Sequence, residues 1–570
     1  MNSDLTSLSD LFNNSIYRIP DYQRGYAWED AQLNDFWEDL LNIEGDRRHY
    51  TGMLSLKLLK EEDYIKWDNE EKWLISSGYK PYHVVDGQQR LTTCIILISS
   101  ILRCAQKHDI IFLNKKSLNK YKEKYIAETD EVDGVYKAFK FGYEIDNPSF
   151  EYFKVAILEE KKSGDLEETF YTLKLKAAKD FFEAHLEELF KEQGSEGLEI
   201  LLQKVTTKLQ FNTHYIDDDF DVFIAFETMN NRGKQLSKLE ILKNRLIYLT
   251  TIFPTKELSK DKQVHLRKEI NDAWKEVYKE LGRNSKHPLN DDEFLRNHWV
   301  LFFTYSRNTG DDYIIDLLNR RFNQKAVLGK RRTVEFKESN EIDEDAINNS
   351  SLVSFDDEKL TPQKILKYVN SLKEISKYWY YSFNPDEDKE LTSDEKKWID
   401  KLNRIGINYF RTLVVATMMN EASSIDKVEL YKSIEKFIFL CFRMARYQAS
   451  YLSSKYYKLS KELLDGDKDI HLIIKELNYD FERNINEATK TFFSKTLSLF
   501  ENKNGYYDWY DLRYFLFEYE CSLAEQYSNV KIRDWTSFIG GEKDKISIEH
   551  IFPQTPTKWY WRNLYRQFNE

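Results

Sequence analysis

The chain is short of glycine and proline, with 19 and 9 in 570 residues, together about 5% where ~12% is ordinary. Collagen-like, linker-dominated and turn-dense all-β architectures lose ground, and a helix-rich globular chain gains it. Cysteine is scarce. Cys94, Cys104, Cys441 and Cys521 include no C-x-x-C pair, which disfavours a disulfide framework and a thiolate zinc centre and fits a reducing compartment, by default the cytoplasm. The longest apolar runs, Cys94 to Ile98 and Phe437 to Phe442, are far too short to cross a bilayer. The start at Met1 has neither a basic n-region nor an apolar h-region, so no membrane is expected. An excess of positive charge is missing too. With 84 basic and 96 acidic residues the net charge is −12, and attraction to a polyanion needs a local basic surface.

What is present is ample core material: 41% hydrophobic and 15% aromatic residues beside 32% charged ones. Such a chain buries apolar surface and keeps a polar exterior, and its length suits about three or four domains. Leu33, Phe36, Trp37, Leu40 and Leu41 recur at helical spacing and predict an amphipathic helix from Glu29 to about Ile43. It follows an ordered turn, Ile19-Pro-Asp-Tyr-Gln-Arg-Gly-Tyr-Ala-Trp28. Tyr50 to Leu59 alternates apolar and polar residues, and Tyr82 to Val85 is β-prone, so two strands of one small sheet are expected. Leu91 to Leu102 reads as a buried helix.

From about residue 107 to 210 the pattern is helical and charged, with Leu186, Leu189 and Phe190 on one helix. Asp219 to Met229 reads as a helix stopped by Asn230-Asn-Arg-Gly233, glycine tolerating the left-handed residue past a helix end. Ser237-Lys-Leu-Glu240 has capping-box spacing and opens another helix carrying Leu239, Leu242, Leu246 and Leu249. The segments 338–358 and 384–395 lack apolar periodicity and are expected to be mobile loops or boundaries.

No Walker or dinucleotide signature occurs, since Gly233-Lys-Gln235 and Gly329-Lys-Arg331 lack the flanking residues of a P-loop. The motif that remains is Asp86-Gly-Gln-Gln-Arg90, between a strand-like run and a helix start. A strand, a glycine turn and a helix N-terminus point backbone N–H groups at an anion, with Arg90 as a planar donor; equally, Asp86 can cap the helix and Arg90 pair locally. Gln23 and Arg24 offer a second polar wall, anchored by Tyr22, Tyr26 and Trp28. Asn230, Asn231 and Arg232 supply further donors at a helix end, or simply close it.

Ile19 to Trp28, Val85-Asp-Gly-Gln-Gln-Arg-Leu-Thr92 and Phe226-Glu-Thr-Met-Asn-Asn-Arg-Gly233 together resemble, in order, the N-terminal domain of GmrSD-type modification-dependent restriction enzymes, a ParB and sulfiredoxin-like domain. The resemblance implies nucleotide binding by Gln23, Arg24, Gly87, Gln88, Gln89, Arg90, Asn230, Asn231 and Arg232, hydrolysis with Asp86 as the catalytic carboxylate, and recognition of modified DNA. Its fold class is α+β, a ParB-like nucleotide-binding domain over 1–250 with a helical insertion at about 107–210, followed by a large mostly helical region over 251–538.

Ser547-Ile-Glu-His-Ile-Phe-Pro-Gln554 resembles the opening of the companion HNH-like nuclease, in which Glu549 can hold a divalent metal such as Mg²⁺ while His550 deprotonates the attacking water. The expected Leu-Gly-Asn-Leu strand and later Asn and His segment do not follow, so 539–570 reads as a truncated nuclease stub with little cleavage of its own. Arg320, Arg321, Lys330, Arg331 and Arg332 interleave with Phe322 and form the best candidate DNA-backbone contact, or else a solvated helix end. The leading expectation is a cytoplasmic, nucleotide-regulated restriction factor of phage defence, taking a nucleoside triphosphate and a divalent metal and meeting modified phage DNA, with homodimerisation as a further partner expectation. The alternatives are a nucleotide-binding DNA clamp or regulator without nuclease activity, and a helical interaction scaffold.

Overall fold

Six strands build one sheet in a computed structural model that describes residues 4–65, 67–129, 136–147, 149–159, 166, 168–216, 236–284, 286–305, 312–329, 359–501, 509–527, 535 and 558–559. They are β1 (Asp4–Ser7), β2 (Ser15–Ile19), β3 (His49–Leu58), β4 (Lys80–Asp86), β5 (Phe141–Tyr143) and β6 (Leu209–Tyr215), in the spatial order β1-β6-β3-β4-β2-β5. The sheet is mixed: β1–β6 and β3–β4 are antiparallel, and β6–β3, β4–β2 and β2–β5 are parallel. Two small ladders, Phe112–Leu113 with Lys116–Ser117 and Ala127–Thr129 with Tyr136–Phe139, stand apart from it. The chain is thus α+β, a mixed sheet in its N-terminal region followed by a helical region.

Leu54 and Leu56 are fully buried in β3, but Ser55 between them is buried too and Leu58 is half exposed, so burial along the strand does not follow the expected alternation. Strand β2, which ends where the Ile19–Trp28 turn begins, has no counterpart among the sequence expectations. All five of its residues are buried, because parallel neighbours on both sides put it inside the sheet, and a strand covered on both faces shows no alternation to read. Likewise β5 and β6 arise within or beside the stretch 107–210 that was expected to be helical, β5 at the sheet edge and β6 beside β3.

Helices α1 (Asp30–Leu41), α2 (Gln88–Lys107) and α3 (Phe170–Gln203) share a core with the sheet. Helix α2 is apolar on nearly every side, from Leu91 to Ala105, as its unbroken hydrophobicity demanded. Helix α3 packs on it, with Leu175, Phe182 and Leu186 buried, and is kinked at Gly194, whose φ is 63°. Helix α4 (Lys238–Ile252) opens with the expected capping box: Ser237 Oγ accepts the Glu240 N–H, and Glu240 Oε2 accepts the Ser237 N–H at 2.7 Å. Helices α5 (Lys260–Gly282) and α6 (Asp291–Phe302) follow, and Trp274 Nε1 donates to the Leu239 carbonyl at 3.2 Å.

The chain divides into two compact units, Met1–Tyr380 and Tyr381–Glu570. The position near residue 250, expected as a domain end, falls inside the first. The second unit is helical, with Ser393–Ile405, Arg411–Met419, Ser424–Phe437, Ser453–Leu464, Ile470–Glu501 and Leu512–Gln526. Its core is aromatic, Phe410, Phe437 and Tyr456 meeting at centroid distances of 4.8–5.5 Å. The segment 384–395, expected as a mobile loop or a boundary, begins a few residues past the division between the units and is ordered by a short turn at Pro385–Glu387 and by a Thr392 capping box. The segment 338–358 and the helix expected over Asp219–Met229 lie outside the described residues.

Candidate functional site

Strand β4 ends at Asp86 and helix α2 begins at Gln88, so the whole reversal falls on Gly87. Its φ is +89°, and a Cβ would lie 2.9 Å from both the Met53 carbonyl oxygen and Leu54 Cδ1; glycine is required there on two counts. Among the described residues, no side chain caps the helix. First-turn N–H groups have no intrahelical partner, and the positive dipole end faces the same way. Asp86 is partly exposed; burial pushes its carboxyl above the usual range, with Arg90 and the Gly87 backbone opposing. Gln88 Oε1 and Thr51 Oγ1 are buried with no partner among the described residues.

Arg90 is held from below. It donates through Nη1 to the Thr51 carbonyl at 3.0 Å and through Nη2 to the Met53 carbonyl at 2.8 Å, with Asp86 Oδ2 3.8 Å away. It packs so tightly on Gly52, at φ +119°, that a Cβ there would fall 1.6 Å from Nη1. Two of five donors are thereby fixed to backbone, and the side chain stays about a quarter exposed. The outcome combines the two open readings: the guanidinium is locally engaged, in an orientation that keeps an outward edge.

The loop Asp21–Ala27 docks on this turn through two glutamines. Gln23 Nε2 donates to the Val84 and Val85 carbonyls at 2.8 and 2.6 Å, at the end of β4. Gln89 Oε1 accepts the Ala27 N–H at 2.7 Å, and its Nε2 donates to the Gly25 carbonyl at 3.0 Å. The Tyr26 hydroxyl meets Thr93 Oγ1 at 2.7 Å one turn later. The structure therefore joins the two polar motifs, 60 residues apart in sequence to within a few positions, into one assembly. Asn230, Asn231 and Arg232 lie outside the described residues.

Beneath the loop lies a charged layer that sequence reading missed. Asp21 receives Arg267 on both carboxylate oxygens, with Nε to Oδ2 at 2.7 Å, and also the Asn271 amide at 2.9 Å. Burial alone would raise its carboxyl, but Arg267 and the neighbouring Lys243 outweigh that and hold it far below the ordinary range. Lys243 Nζ donates to the Asp21 carbonyl at 2.6 Å, and burial brings its amine down to about 8. Arg24 lies 3.5 Å from Glu240 Oε2, and Glu240 also accepts the Tyr171 hydroxyl. A small cavity opens here, lined by Gln23, Arg24, Asn147, Ser149, Glu240 and Lys243 among others. Three buried polar atoms of its wall, Gln23 Oε1, Asn147 Nδ2 and Ser149 Oγ, have no partner among the described residues. Ser237 and Glu240 were legible as a cap; Lys243 one turn on and Arg267 carried no local signal.

Of the basic patch, Arg321 turns inward. Its Nε donates to Asp316 Oδ2 at 2.6 Å, its guanidinium lies 3.9 Å over the Phe303 ring, and Asp316 also accepts Trp299 Nε1 at 2.9 Å. The expected DNA-facing role thus meets a side chain only about a tenth exposed: a buried carboxylate attracts the nearest cation more strongly than solvent does. Arg320 keeps about a third of its surface. Lys330, Arg331, Arg332, Glu549 and His550 lie outside the described residues.

The α+β domain thus presents a helix N-terminus and an oriented guanidinium beneath a clamped loop. Residues 8–247 match the family model of the GmrSD restriction endonuclease N-terminal domain. That match supports a restriction-endonuclease family role. No curated protein gives a significant match. Among the described residues, no helix is long and apolar enough to cross a membrane.

Proposed function

We propose that the protein is a nucleotide-regulated, modification-dependent DNA restriction factor acting in phage defence in the cytoplasm. The observation that carries this reading is the match over residues 8–247, within which the Asp21–Ala27 loop and the Asp86–Arg90 turn form one polar assembly. A nucleoside triphosphate fits its donor set. The first-turn amides of α2 and the outward edge of Arg90 receive phosphate oxygens, and the Asp86 carboxyl beside them suits the holding of a water or, when ionised, of a divalent ion such as Mg²⁺. The nucleotide supplies a phosphoanhydride whose cleavage reports occupancy. The chain's own contribution is positioning: Gly87 aims the amides, Thr51 and Met53 fix the guanidinium, and Gln23 and Gln89 hold the loop over both. DNA is the expected macromolecular partner, with Arg320 and Lys330 to Arg332 as backbone contacts. Glu549 as metal ligand and His550 as base begin the cleaving site.

The test pairs calorimetry with digestion. Asp86→Ala and Arg90→Lys should weaken nucleotide binding or turnover while the far-UV spectrum stays native, and whatever cleavage of modified phage DNA occurs with Mg²⁺ and nucleotide should be lost in His550→Ala. Wild-type nucleotide binding in both variants would remove the turn from the site. Nucleotide-dependent DNA binding without cleavage, unaffected by His550→Ala, would favour the clamp or regulator instead.

A further inference from the structure

At the far end of helix α2, three side chains of different chemistry converge. Cys104 in the last turn of α2 and His108 at its C-cap stand four residues apart, at spacing that places both on one face, and Glu187 reaches them from α3. Each offers a ligand atom, and the three atoms lie within 4.8 Å of one another. His108 Nε2 is 3.2 Å from Glu187 Oε2, and Cys104 Sγ is 3.9 Å from the Leu186 carbonyl. The imidazole is fixed in plane by stacking on Phe190, at a centroid distance of 3.9 Å and 19° between rings.

We infer that Cys104, His108 and Glu187 form a binding site for a zinc-class divalent ion, bridging the C-terminal end of α2 to α3. One thiolate, one imidazole and one carboxylate match the borderline softness of such an ion, whereas Mg²⁺ and Ca²⁺ take oxygen ligands. Bonds of about 2.0–2.3 Å in a tetrahedron put ligand atoms ~3.3–3.8 Å apart, so the widest separation needs to close by roughly 1–1.5 Å. The geometry includes an outer partner: Lys107 Nζ donates to Glu187 Oε1 at 2.7 Å, leaving Oε2 to the ion. The carbonyl end of α2 adds negative potential. Glu183 is engaged by Arg103 at 3.0 Å, so the fourth position falls to water. On binding, the Cys104 thiol releases its proton to solvent as the sulfur–metal bond forms. The absence of C-x-x-C spacing spoke against a thiolate centre in the local sequence; this mixed site joins Cys104 and His108 to Glu187, 79 to 83 positions further along.

The test is a Co²⁺ titration of the chelator-treated full chain, read by the near-ultraviolet band of a thiolate–cobalt bond, followed by displacement with Zn²⁺. The band should saturate at one equivalent, vanish in Cys104→Ser and persist in Cys521→Ser. In His108→Gln and Glu187→Gln, affinity should fall at least as far as loss of an outer partner makes it fall, roughly 10- to 100-fold. Because Cys104 is buried, its serine variant is checked by circular dichroism. The half-exposed Glu187→Gln carries the test if Cys104→Ser does not fold. No band in the wild type, a band retained in folded Cys104→Ser, or unchanged affinity in Glu187→Gln would show that the cluster is an ordinary ion pair and overturn the site.

Discussion

Arg90 and Gly52 occupy each other's space: the guanidinium lies where a side chain on residue 52 would begin, 1.6 Å from an ideal Cβ. Gly52 is on β3 where the pairing with β6 slips register, between Gln210 and Phe211, so an irregularity of the sheet makes room for the residue that completes the turn. Gly52→Ala should therefore cost about 1–3 kcal/mol from the strained backbone alone and displace the guanidinium. Denaturant unfolding of the single variants and of Gly52→Ala with Arg90→Ala checks this; the double variant should be less destabilised than the sum, since the two changes share one contact.

Arg90→Ala and Arg90→Lys should differ. Alanine frees the Thr51 and Met53 carbonyls and removes the donor edge, lowering both stability and nucleotide affinity. Lysine keeps the charge without the planar fork, so affinity should drop while most of the stability remains. Calorimetry alongside thermal unfolding separates the two effects.

The Asp21–Arg267 pair should set the acid limb of stability. The folded carboxyl lies below its unfolded value. Its stabilisation is therefore present above the unfolded carboxylate range and lost as pH falls from about 4 toward the folded pKa. Asp21→Asn should unfold more readily at pH 7, by about 3 kcal/mol, the lower end for breaking a buried pair because Arg267 is partly exposed. Its acid limb should be flatter than wild type, as measured by urea unfolding at stepped pH.

Lys243 gives the opposite edge. Its folded amine is lowered by burial to about 8 from 10.5, so between those values the unfolded chain binds more protons and stability gains an upward slope with pH. The slope contributed is at most about 1.4 kcal/mol per pH unit. Lys243→Met should lack it between pH 8 and 10, and an unchanged profile would remove Lys243 as the titrating group.

Arg320 and Arg321 should part company although they are neighbours. Arg321→Ala leaves Asp316 buried without its close cation and should lower stability. If the patch contacts DNA, Arg320→Ala should weaken binding across sequences and reduce the salt slope by about 0.9. Filter binding at several salt concentrations, with a thermal melt for each variant, checks both.

Local patterns made much of the first unit legible. Helical spacing gave α1, unbroken hydrophobicity gave the buried α2, Ser237 and Glu240 gave the start of α4, and Gly87 gave the turn, because each depends on residues within a few positions of one another. Strands β2 and β6 were illegible because their partners are remote and, for β2, both faces are covered. The same division runs through the site. The sequence by itself determined the polar motifs at 21–24 and 86–90 and the glycine between strand and helix. Tertiary structure alone decided that Gln23 would clasp the end of β4, that Gly52 would yield its place to Arg90, that Arg267 would find Asp21, and that Arg321 would face inward. Those partnerships are made by desolvated charges and hydrogen-bonding groups, and a buried polar group takes whichever complement the fold brings within reach, at any distance along the chain.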